Sequence, residues 1–284
     1  MVLMKELFIN KLGFFVLKYQ RIVVVLFYVL TGFPAALAMF SSGVPLVFTV
    51  LAVFVYGFAL IYSSSFFAAS AGLARARKEL CENCDPSLLY AQSRELLRHP
   101  RLRYITKSSL SLEYTTALCA RGEWATARDL LLSYTPKEVR QLAGYSRFVY
   151  YRNLSVVFDH LENYESAEVY YEKSLEIMEN SCKQKVFRRL CENAVLWGHA
   201  AHWERMGDPE KALGFLKEFH PANLYEEVST ELQMGNCYKK LSRIKEAAEC
   251  FQFVRENGNK LHAVIRAEEQ LSVLEAAMNK GGSL

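Results

Sequence analysis

The nine residues ERMGDPEKA, Glu204 to Ala212, contain a turn between two apolar, helix-patterned runs. Gly207 suits the end of a helix because glycine adopts positive φ without steric cost. Asp208 is a favoured N-cap residue, and Pro209 fits the first helical position, where no amide donor is needed. Acidic residues beside a Gly-Pro turn also occur in catalytic loops, so the stretch has two interpretations. Its recurrence elsewhere in the chain favours a turn that connects two helices and has no catalytic role.

Three other stretches share this layout: ARGEWATA (120–127), HLENYESA (160–167) and KKLSRIKEA (239–247). The four alanines that end them are Ala127, Ala167, Ala212 and Ala247, separated by 40, 45 and 35 residues. A small residue precedes each turn, at Thr115, Ser155, Ala200 and Gly235, and a large one follows three positions later, at Leu118, Phe158, Trp203 and Tyr238. Large residues also follow the alanines, at Leu131, Tyr171, Leu216 and Phe251. Small residues facing large ones let antiparallel helices approach closely, so the pattern predicts packed helix pairs.

The stretch MGNCYKKLSRIKEAAECFQFV (234–254) resembles the tetratricopeptide repeat (TPR) family, and so does MGDPEKALGFL (206–216). The resemblance covers roughly residues 101–258, although the spacings depart from the family's period of 34 residues. It implies a TPR-like α-solenoid of antiparallel helix pairs, in which the first helices line a concave groove. The residues expected to pack the repeats are Ala127, Ala167, Ala212, Gly235, Tyr238, Ala247 and Phe251.

The resemblance also implies ligand contacts at exposed positions of the first helices. The candidates for this peptide groove are Arg152, Asn153, Trp197, Asn236, Lys239 and Lys240. Because the set is polar and partly basic, we expect a protein or peptide partner with an acidic or C-terminal segment. Val156 stands where the family's carboxylate clamp has an asparagine, so the binding of a chaperone tail is not supported.

No charged residue occurs in the 53 positions between Arg21 and Arg75. Residues 22–40 and 46–67 each approach the ~20 residues that an α-helix needs to cross a bilayer, which predicts a two-helix transmembrane hairpin. A cleaved signal peptide is the alternative for the first run, but no small-x-small cleavage site precedes a polar region and a second apolar run follows. Lys and Arg flank the pair of spans on both sides, whereas the connecting loop is uncharged. An integral membrane protein with both termini in the cytoplasm is therefore expected.

Five segments follow from these patterns. Residues 1–21 are expected to be cytoplasmic, and the apolar stretch with spaced lysines from Leu7 to Tyr19 favours an interfacial location. Residues 22–67 form the hairpin and 68–100 form juxtamembrane helices. Asp85-Pro86 is the same dipeptide as Asp208-Pro209, which begins a predicted helix of a repeat. Residues 68–100 are therefore interpreted as a half-repeat. The repeats then occupy 101–258, and 259–284 form a capping helix and tail.

Few residues suggest chemistry. Cys81 and Cys84 form a CxxC pair. Such a pair is interpreted as half of a zinc site, as a redox pair or as the end of a helix. Because no second pair follows at a suitable spacing, the end of a helix is favoured. His199 and His202 share a helix face, as metal ligands or as packing residues, and no HExxH motif accompanies them. The sequence also lacks Gly-rich phosphate loops and a GxSxG elbow. We therefore expect that the protein is not an enzyme and that it has no catalytic residue, bound metal or cofactor.

Basic residues cluster at 98–107, but the small net charge of +4 favours a solvated surface or a nearby anionic leaflet over nucleic acid. The pattern as a whole predicts an all-α protein in which a membrane hairpin precedes a repeat domain. It predicts a cytoplasmic adaptor or scaffold that binds a protein or peptide through a TPR-like groove. The alternative is a subunit of a membrane transport or secretion assembly in which the hairpin is the functional element. The absence of ionisable residues in the spans weakens that alternative.

Overall fold

The computed structural model describes residues 20–98, 104–181 and 185–281. Within these ranges the backbone alone is described at residues 20–21, 23, 58–71, 104–106, 181, 185–187 and 277–281. The expected interfacial segment, Leu7–Tyr19, and residues 99–103 of the basic stretch at 98–107 also lie outside the described residues. In the described residues every regular element is an α-helix, which confirms the all-α class.

The chain divides into two compact units. Unit 1 takes in the chain up to Arg77 together with Arg94–Leu110, and unit 2 takes in Lys78–Ser93 and the chain from Ser111 onward. The two units differ in charge. Unit 1 contains 11 Lys and Arg against 2 acidic residues, whereas unit 2 contains 23 against 28.

The first two helices are α1, Gln20–Ser41, and α2, Leu46–Asn83. By length and composition one helix of the described residues is able to cross a membrane, Val24–Ser41, with a mean hydropathy of 1.9. The apolar start of α2, Leu46–Gly57, is shorter. The second predicted span, 46–67, extends past Gly57 into residues whose side chains are not described.

Helices α1 and α2 contact each other through a small polar cluster. The Tyr28 hydroxyl donates to the Val53 carbonyl at 3.1 Å, and the hydroxyls of Thr31 and Tyr56 lie 2.8 Å apart. The rings of Tyr28 and Tyr56 stack, and a Cβ on Gly57 would lie 2.8 Å from the Tyr28 ring. The two helices therefore approach closely where glycine leaves room for an aromatic ring.

Helix α2 is continuous for 38 residues and ends at Asn83. The sequence analysis placed separate juxtamembrane helices over 68–100, after the end of the second predicted span at residue 67. Polarity changes near residue 67, but the residues from Phe67 to Leu80 contain no proline and only one glycine, so nothing in them ends a helix. The boundary between 67 and 68 is thus a change of composition within one helix.

Eleven helices follow in the described residues. They are α3 Ser87–Leu97, α4 Tyr104–Ala120, α5 Trp124–Leu132, α6 Pro136–Gln141, α7 Gly144–His160, α8 Tyr164–Ser181, α9 Lys185–Arg205, α10 Pro209–Glu218, α11 Leu224–Lys240, α12 Ile244–Asn257 and α13 His262–Gly281. Most neighbours in sequence pack as pairs, α7 with α8, α9 with α10 and α11 with α12. This is a helical-repeat arrangement, and its membership of the TPR family stays a prediction.

The four aligned turns have the same backbone geometry. Each consists of three residues whose middle member has positive φ: Gly122 (+77°), Glu162 (+59°), Gly207 (+80°) and Ser242 (+59°). In each, the amide after that residue donates to the carbonyl five positions back, at 2.9 Å, as in the Schellman motif. The acceptors are the carbonyls of Leu118, Phe158, Trp203 and Tyr238. Asp208 caps α10 by accepting from the Lys211 amide at 3.0 Å, so its predicted capping role is confirmed.

The aligned side chains lie at equivalent places in the pairs. All four alanines, Ala127, Ala167, Ala212 and Ala247, are fully buried, and the small residues of the preceding helices are also buried. Two contacts show how the helices meet: the Ser155 hydroxyl donates to the Ala167 carbonyl at 2.8 Å, and Gly235 faces the ring of Phe251. Tyr238 and Phe251 are also buried. Close approach of the two helices in a pair thus follows from residue size.

The unequal spacings have specific causes. Between the first two turns the chain inserts α6, which begins with a capping box formed by Thr135 and Glu138 with Pro136 at its first position. Between the second and third turns α8 and α9 are long, at 18 and 21 residues. The shorter spacing that follows reflects the 10-residue α10.

The C-terminal helix α13 packs on α12 and α11, and residues around its start contact the beginning of unit 2. Lys260 pairs with Asp85 at 2.6 Å, and the Asn259 side chain donates to the Asn83 carbonyl at 2.7 Å. Asp85 also caps α3 through the Ser87 amide. These residues, together with the contact of His262 with Trp124, are called the closing contacts below. The predicted capping helix is therefore joined to the first turns as well as to the last pair.

Candidate functional site

A cleft lies between α7 and α9, with α8 behind it. About 410 Å³ of space lies between its walls, a volume that includes open solvent, and the centres of water-sized molecules fit in about 20 Å³ of it. Its apolar lining includes Phe148, Val156 and Val195. Its polar lining includes Arg152 near the middle and Asp159 with Arg205 at the ends of their helices. We refer to it as the α7–α9 cleft.

The structure brings two of the six predicted groove residues together in this cleft. The guanidinium carbon of Arg152 lies 5.5 Å from the centre of the Trp197 ring, within the range of a cation–π contact. Both side chains are partly buried. Asn153 follows directly on α7, and its amide nitrogen is shielded from solvent without a hydrogen-bond acceptor.

The other three predicted groove residues are on α11 and do not line the cleft. Lys239 donates to the Gln270 side chain on α13 at 2.5 Å, and Lys240 pairs with Glu204 on α9 at 2.9 Å. Asn236 is partly buried on the same helix. The two lysines thus connect neighbouring helices, and their charges are engaged within the chain.

Arg152 lies at the centre of four helices. Its positive charge favours a lower pKa for Cys119 on α4, Tyr145 on α7 and Tyr225 on α11. The fourth helix is α9, which contributes Trp197. Burial outweighs this attraction: it raises the pKa of Cys119 to about 12 and also raises the pKa values of Tyr145 and Tyr225. All three groups are therefore neutral at pH 7.

In the lining of the cleft, Arg205 bridges two carboxylates. Its two terminal nitrogens lie 2.9 Å from Asp159 on α7 and 2.8 Å from Glu168 on α8, and its side chain is only 9% exposed. Burial raises the pKa of Asp159 despite Arg205. Burial favours a higher pKa for Glu168, but the hydrogen bonds from Arg205 and His202 outweigh it, so the pKa of Glu168 is lowered. The sequence analysis did not find this network, because its members come from three helices.

The histidine pair serves packing between helices. His199 is hydrogen-bonded to the Tyr171 hydroxyl and lies against Phe215, whereas His202 lies 2.6 Å from Glu168. Burial, with a smaller effect of His202, lowers the pKa of His199. In the part of the chain that the structure describes, no group of three or more His, Cys, Asp or Glu residues is placed to hold a metal ion.

The CxxC pair forms the end of α2 and the turn after it. Cys84 is buried with a positive φ of 51°, and Cys81 is partly buried. Burial, followed by the neighbouring Cys81, raises the pKa of Cys84 to about 11. A thiol with such a pKa is protonated at neutral pH and is a poor nucleophile.

Comparisons of the chain with protein-family models, with curated proteins and with solved structures found no match.

Proposed function

We propose that this protein is a membrane-anchored adaptor or scaffold that binds a segment of a partner protein in the α7–α9 cleft. In this proposal α1 and the first part of α2 form a two-span anchor, and unit 2 is a TPR-like binding domain in the cytoplasm. The observation that carries the binding role is the partly buried Arg152, which lies over Trp197 in an open cleft and has no acceptor for its Nε.

The exposure of apolar side chains supports the anchor. Leu30 on α1 and Val47 and Phe54 on α2 are 71, 76 and 72% exposed. Most large apolar side chains that the structure describes in α1 and in Leu46–Gly57 of α2 are also exposed. The polar groups of Tyr28, Thr31 and Tyr56 instead contact the other helix. A pair of helices with apolar outer surfaces and internally satisfied hydroxyls suits a lipid environment.

The distribution of charge supports the orientation. The excess of basic residues is confined to unit 1, which contains the apolar helices, while unit 2 is slightly acidic. Lys and Arg beside membrane spans favour the cytoplasmic side, where anionic lipids attract them. Both termini are therefore proposed to be cytoplasmic.

A binding role is favoured over catalysis by the chemistry of the cleft. Its histidine neighbours and carboxylates are hydrogen-bonded to one another, as in the Arg205 network, and the neutral Cys119 has no activating base among its electrostatic neighbours. Partly buried aromatic and guanidinium groups in a cleft are typical of recognition surfaces.

The anchor is tested by membrane extraction of the full chain and of two Arg variants. Leu30→Arg places a charge within the proposed span, where insertion costs about 2.5–3.5 kcal/mol, and we expect a smaller membrane-bound fraction. Leu132→Arg, at an exposed site of α5, is the matched control and should not change that fraction. Reporters fused to both termini should indicate the cytoplasm. Release of the native chain by alkaline extraction would contradict the anchor.

Binding is tested by photo-crosslinking from the cleft. A benzoylphenylalanine at Val156, which lines the cleft, should capture one defined protein in cells, and Arg152→Glu should abolish that product. The same probe at Tyr164, 54% exposed and outside the cleft lining, is the control. Identical products from both positions, or a product that persists with Arg152→Glu, would contradict the adaptor function.

A further inference from the structure

The start of α13 meets two earlier helices of unit 2 in a cluster of rings. His160, the last residue of α7, stacks on Trp124, the first residue of α5, with ring centres 3.8 Å apart. His262, the first residue of α13, lies edge-on to Trp124, with ring centres 6.2 Å apart. Arg266, one turn later on α13, donates to Nδ1 of His160 at 3.0 Å. We call these four residues the His160 cluster.

The hydrogen bond from Arg266 determines the charge of His160. A guanidinium has donors only, so Nδ1 of His160 has to accept the bond and carries no proton. A proton on Nδ1 would replace the bond with two donors on two cations that face each other. Burial, followed by Arg266 and His262, accordingly lowers the pKa of His160. The arrangement of the His160 cluster therefore requires a neutral His160.

The groups that act on the charge of His160 in the described residues are basic. They are Arg266 and His262, and both lie on α13. Burial, followed by Arg266, also lowers the pKa of His262, and the opposite effect of Glu269 is smaller. A proton on either histidine thus adds a positive charge close to Arg266.

The acidic residues of the neighbouring elements are paired with other arginines or are exposed. They are Asp159 on α7, which pairs with Arg205 at 2.9 Å, Glu123 before α5, which pairs with Arg121 at 2.6 Å, and Glu162 and Glu165 in and after the turn that follows α7, which are exposed. None of them is among the groups that act on the pKa of His160. Protonation of His160 would therefore oppose the contact with Arg266 rather than strengthen a pair with a carboxylate.

Helix α13 also has an apolar contact surface, which does not titrate. Ala267, Leu271 and Leu274 follow one another at helical spacing and are buried, and α13 packs on α12 and α11. Its contacts with the beginning of unit 2 are mostly polar. The Lys260 amide donates to the Cys84 carbonyl at 3.3 Å, and the Lys260 side chain is 60% exposed, so water screens its ion pair. Loss of the polar contacts would separate α13 from the beginning of unit 2 and leave it on α12.

We infer that the start of α13 is an acid-sensitive latch: it closes unit 2 while His160 is neutral, and protonation of His160 releases it from α5 and α7 while the rest of α13 stays on α12. This inference concerns regulation and goes beyond the proposed binding function. A released histidine has a pKa near 6.5, so the open form binds the additional proton below that pH. Between pH 7.5 and pH 5 the ratio of closed to open molecules should fall about 30-fold through His160 alone.

The test is hydrogen exchange of single amides, measured by NMR on the full chain in detergent micelles after labelling with 15N-lysine. The Lys260 amide is bonded to the Cys84 carbonyl across the closure, so opening of the latch exposes it to water. Lys173, in the middle of α8, is the internal reference for unfolding of the whole unit. Rates at pH 7.5 and pH 5 are divided by those of an unstructured lysine peptide at the same pH, which removes the pH dependence of the exchange chemistry.

Protection of the Lys260 amide should fall about 30-fold or more from pH 7.5 to pH 5, and at pH 5 it should be lower than that of Lys173. His160→Gln retains an acceptor for Arg266 but takes up no proton, so it should remove most of this fall. Arg266→Gln should reduce the fall severalfold, because a carboxamide donates to a neutral histidine and accepts from a protonated one. His220→Gln changes an exposed histidine and should leave the fall unaltered.

Constant protection of Lys260 at the two pH values would overturn the inference, and so would a fall that persists in His160→Gln or in Arg266→Gln. Equal protection of Lys260 and Lys173 at pH 5 would also overturn it, because α13 would then leave only when the whole unit unfolds. Arg266→Gln keeps the test decisive if His160→Gln does not fold, since it leaves His160 in place and removes only the opposing charge.

Discussion

Arg205 Nη1 lies 2.9 Å from Asp159 Oδ1, and this contact joins the last turn of α9 to the last turn of α7. The second terminal nitrogen of the same guanidinium reaches Glu168 on α8. One buried arginine thus holds both helices of one repeat against the first helix of the next. Since Asp159 and Arg205 both line the α7–α9 cleft, the network also fixes the width of the cleft.

Replacement of Arg205 by methionine should destabilise the fold by about 2–4 kcal/mol. The change leaves two partly buried carboxylates without their cation, and the loss of one partner of a buried pair is strongly unfavourable. Both carboxylates are 30% exposed, so water screens part of the loss. Thermal unfolding of the full chain in detergent measures the difference.

The matched control is Arg243→Met. Arg243 pairs with Glu246 at 2.7 Å, but both side chains are about 40% exposed, with values of 41 and 39%. Exposed pairs contribute little to stability because water screens them, so this variant should unfold close to the native temperature. If the two variants were equally stable, the Arg205 network would have no special role.

A second prediction concerns the contact of Gly235 with Phe251. A Cβ at position 235 would lie 2.6 Å from the ring, so Gly235→Ala should cost about 1–3 kcal/mol by overpacking. Gly214→Ala is the control, because Gly214 lies inside α10 with nothing within 4 Å. There alanine should stabilise the helix by about 0.5–1 kcal/mol. Phe251→Leu should reduce the cost of Gly235→Ala, and an unchanged cost would contradict the interlock.

The helix pairs were predictable because their signals are local. The residues of each turn and the alanine after it lie within nine positions, as in Glu204–Ala212, and the structure repeats one geometry at all four places. The insertion of α6 also has a local signal, Thr135-Pro136 with Glu138, which the sequence analysis did not use. The continuity of α2 was missed because a change from apolar to polar composition does not by itself end a helix.

The candidate site was less predictable because it depends on contacts between distant segments. Lys239 and Lys240 occupy exposed-type positions on α11, but their partners Gln270 and Glu204 come from other helices. The periodicity of one helix predicts which of its side chains are exposed, but it does not predict pairs with residues of other helices. Likewise, the neutral environment of Arg152 is created by Cys119 and Tyr225, which are remote in sequence, and by burial that no local pattern indicates.

A third prediction concerns pH. Burial, followed by Arg266 and His262, lowers the pKa of His160 to about 3, whereas an unfolded histidine titrates near 6.5. Between these values the unfolded chain binds more protons, so this residue makes stability fall as the pH is lowered below about 6.5. His160→Gln should reduce the loss of stability between pH 7.5 and pH 5 by about 1–2 kcal/mol. Unfolding at the two pH values measures it.

His220→Gln is the control for that experiment, since the His220 side chain is exposed. It should keep the native difference between the two pH values. Glutamine at 160 retains an acceptor for Arg266, which donates to the imidazole at 3.0 Å, so the comparison isolates the charge change. An unaltered pH dependence in His160→Gln would show that His160 does not titrate differently in the two states.

The last prediction tests the closing contacts through two glycines in equivalent turns. Gly122 and Gly207 have φ of +77° and +80°, so alanine should cost a similar ~1–2 kcal/mol of backbone strain at either position. A Cβ on Gly207 meets nothing within 4 Å, whereas one on Gly122 would clash with the ring of His262 at the start of α13. Gly122→Ala should therefore be more destabilising than Gly207→Ala, by about 1–3 kcal/mol.

The double-mutant cycle assigns that excess to the closing contacts. In a His262→Ala background the cost of Gly122→Ala should fall to that of Gly207→Ala, because the obstructing ring is gone and only the backbone strain is left. Denaturant unfolding of the four variants measures the coupling. Equal costs in the presence and absence of the His262 ring would mean that α13 does not press on the first turn in solution, and unit 2 would then be an open array.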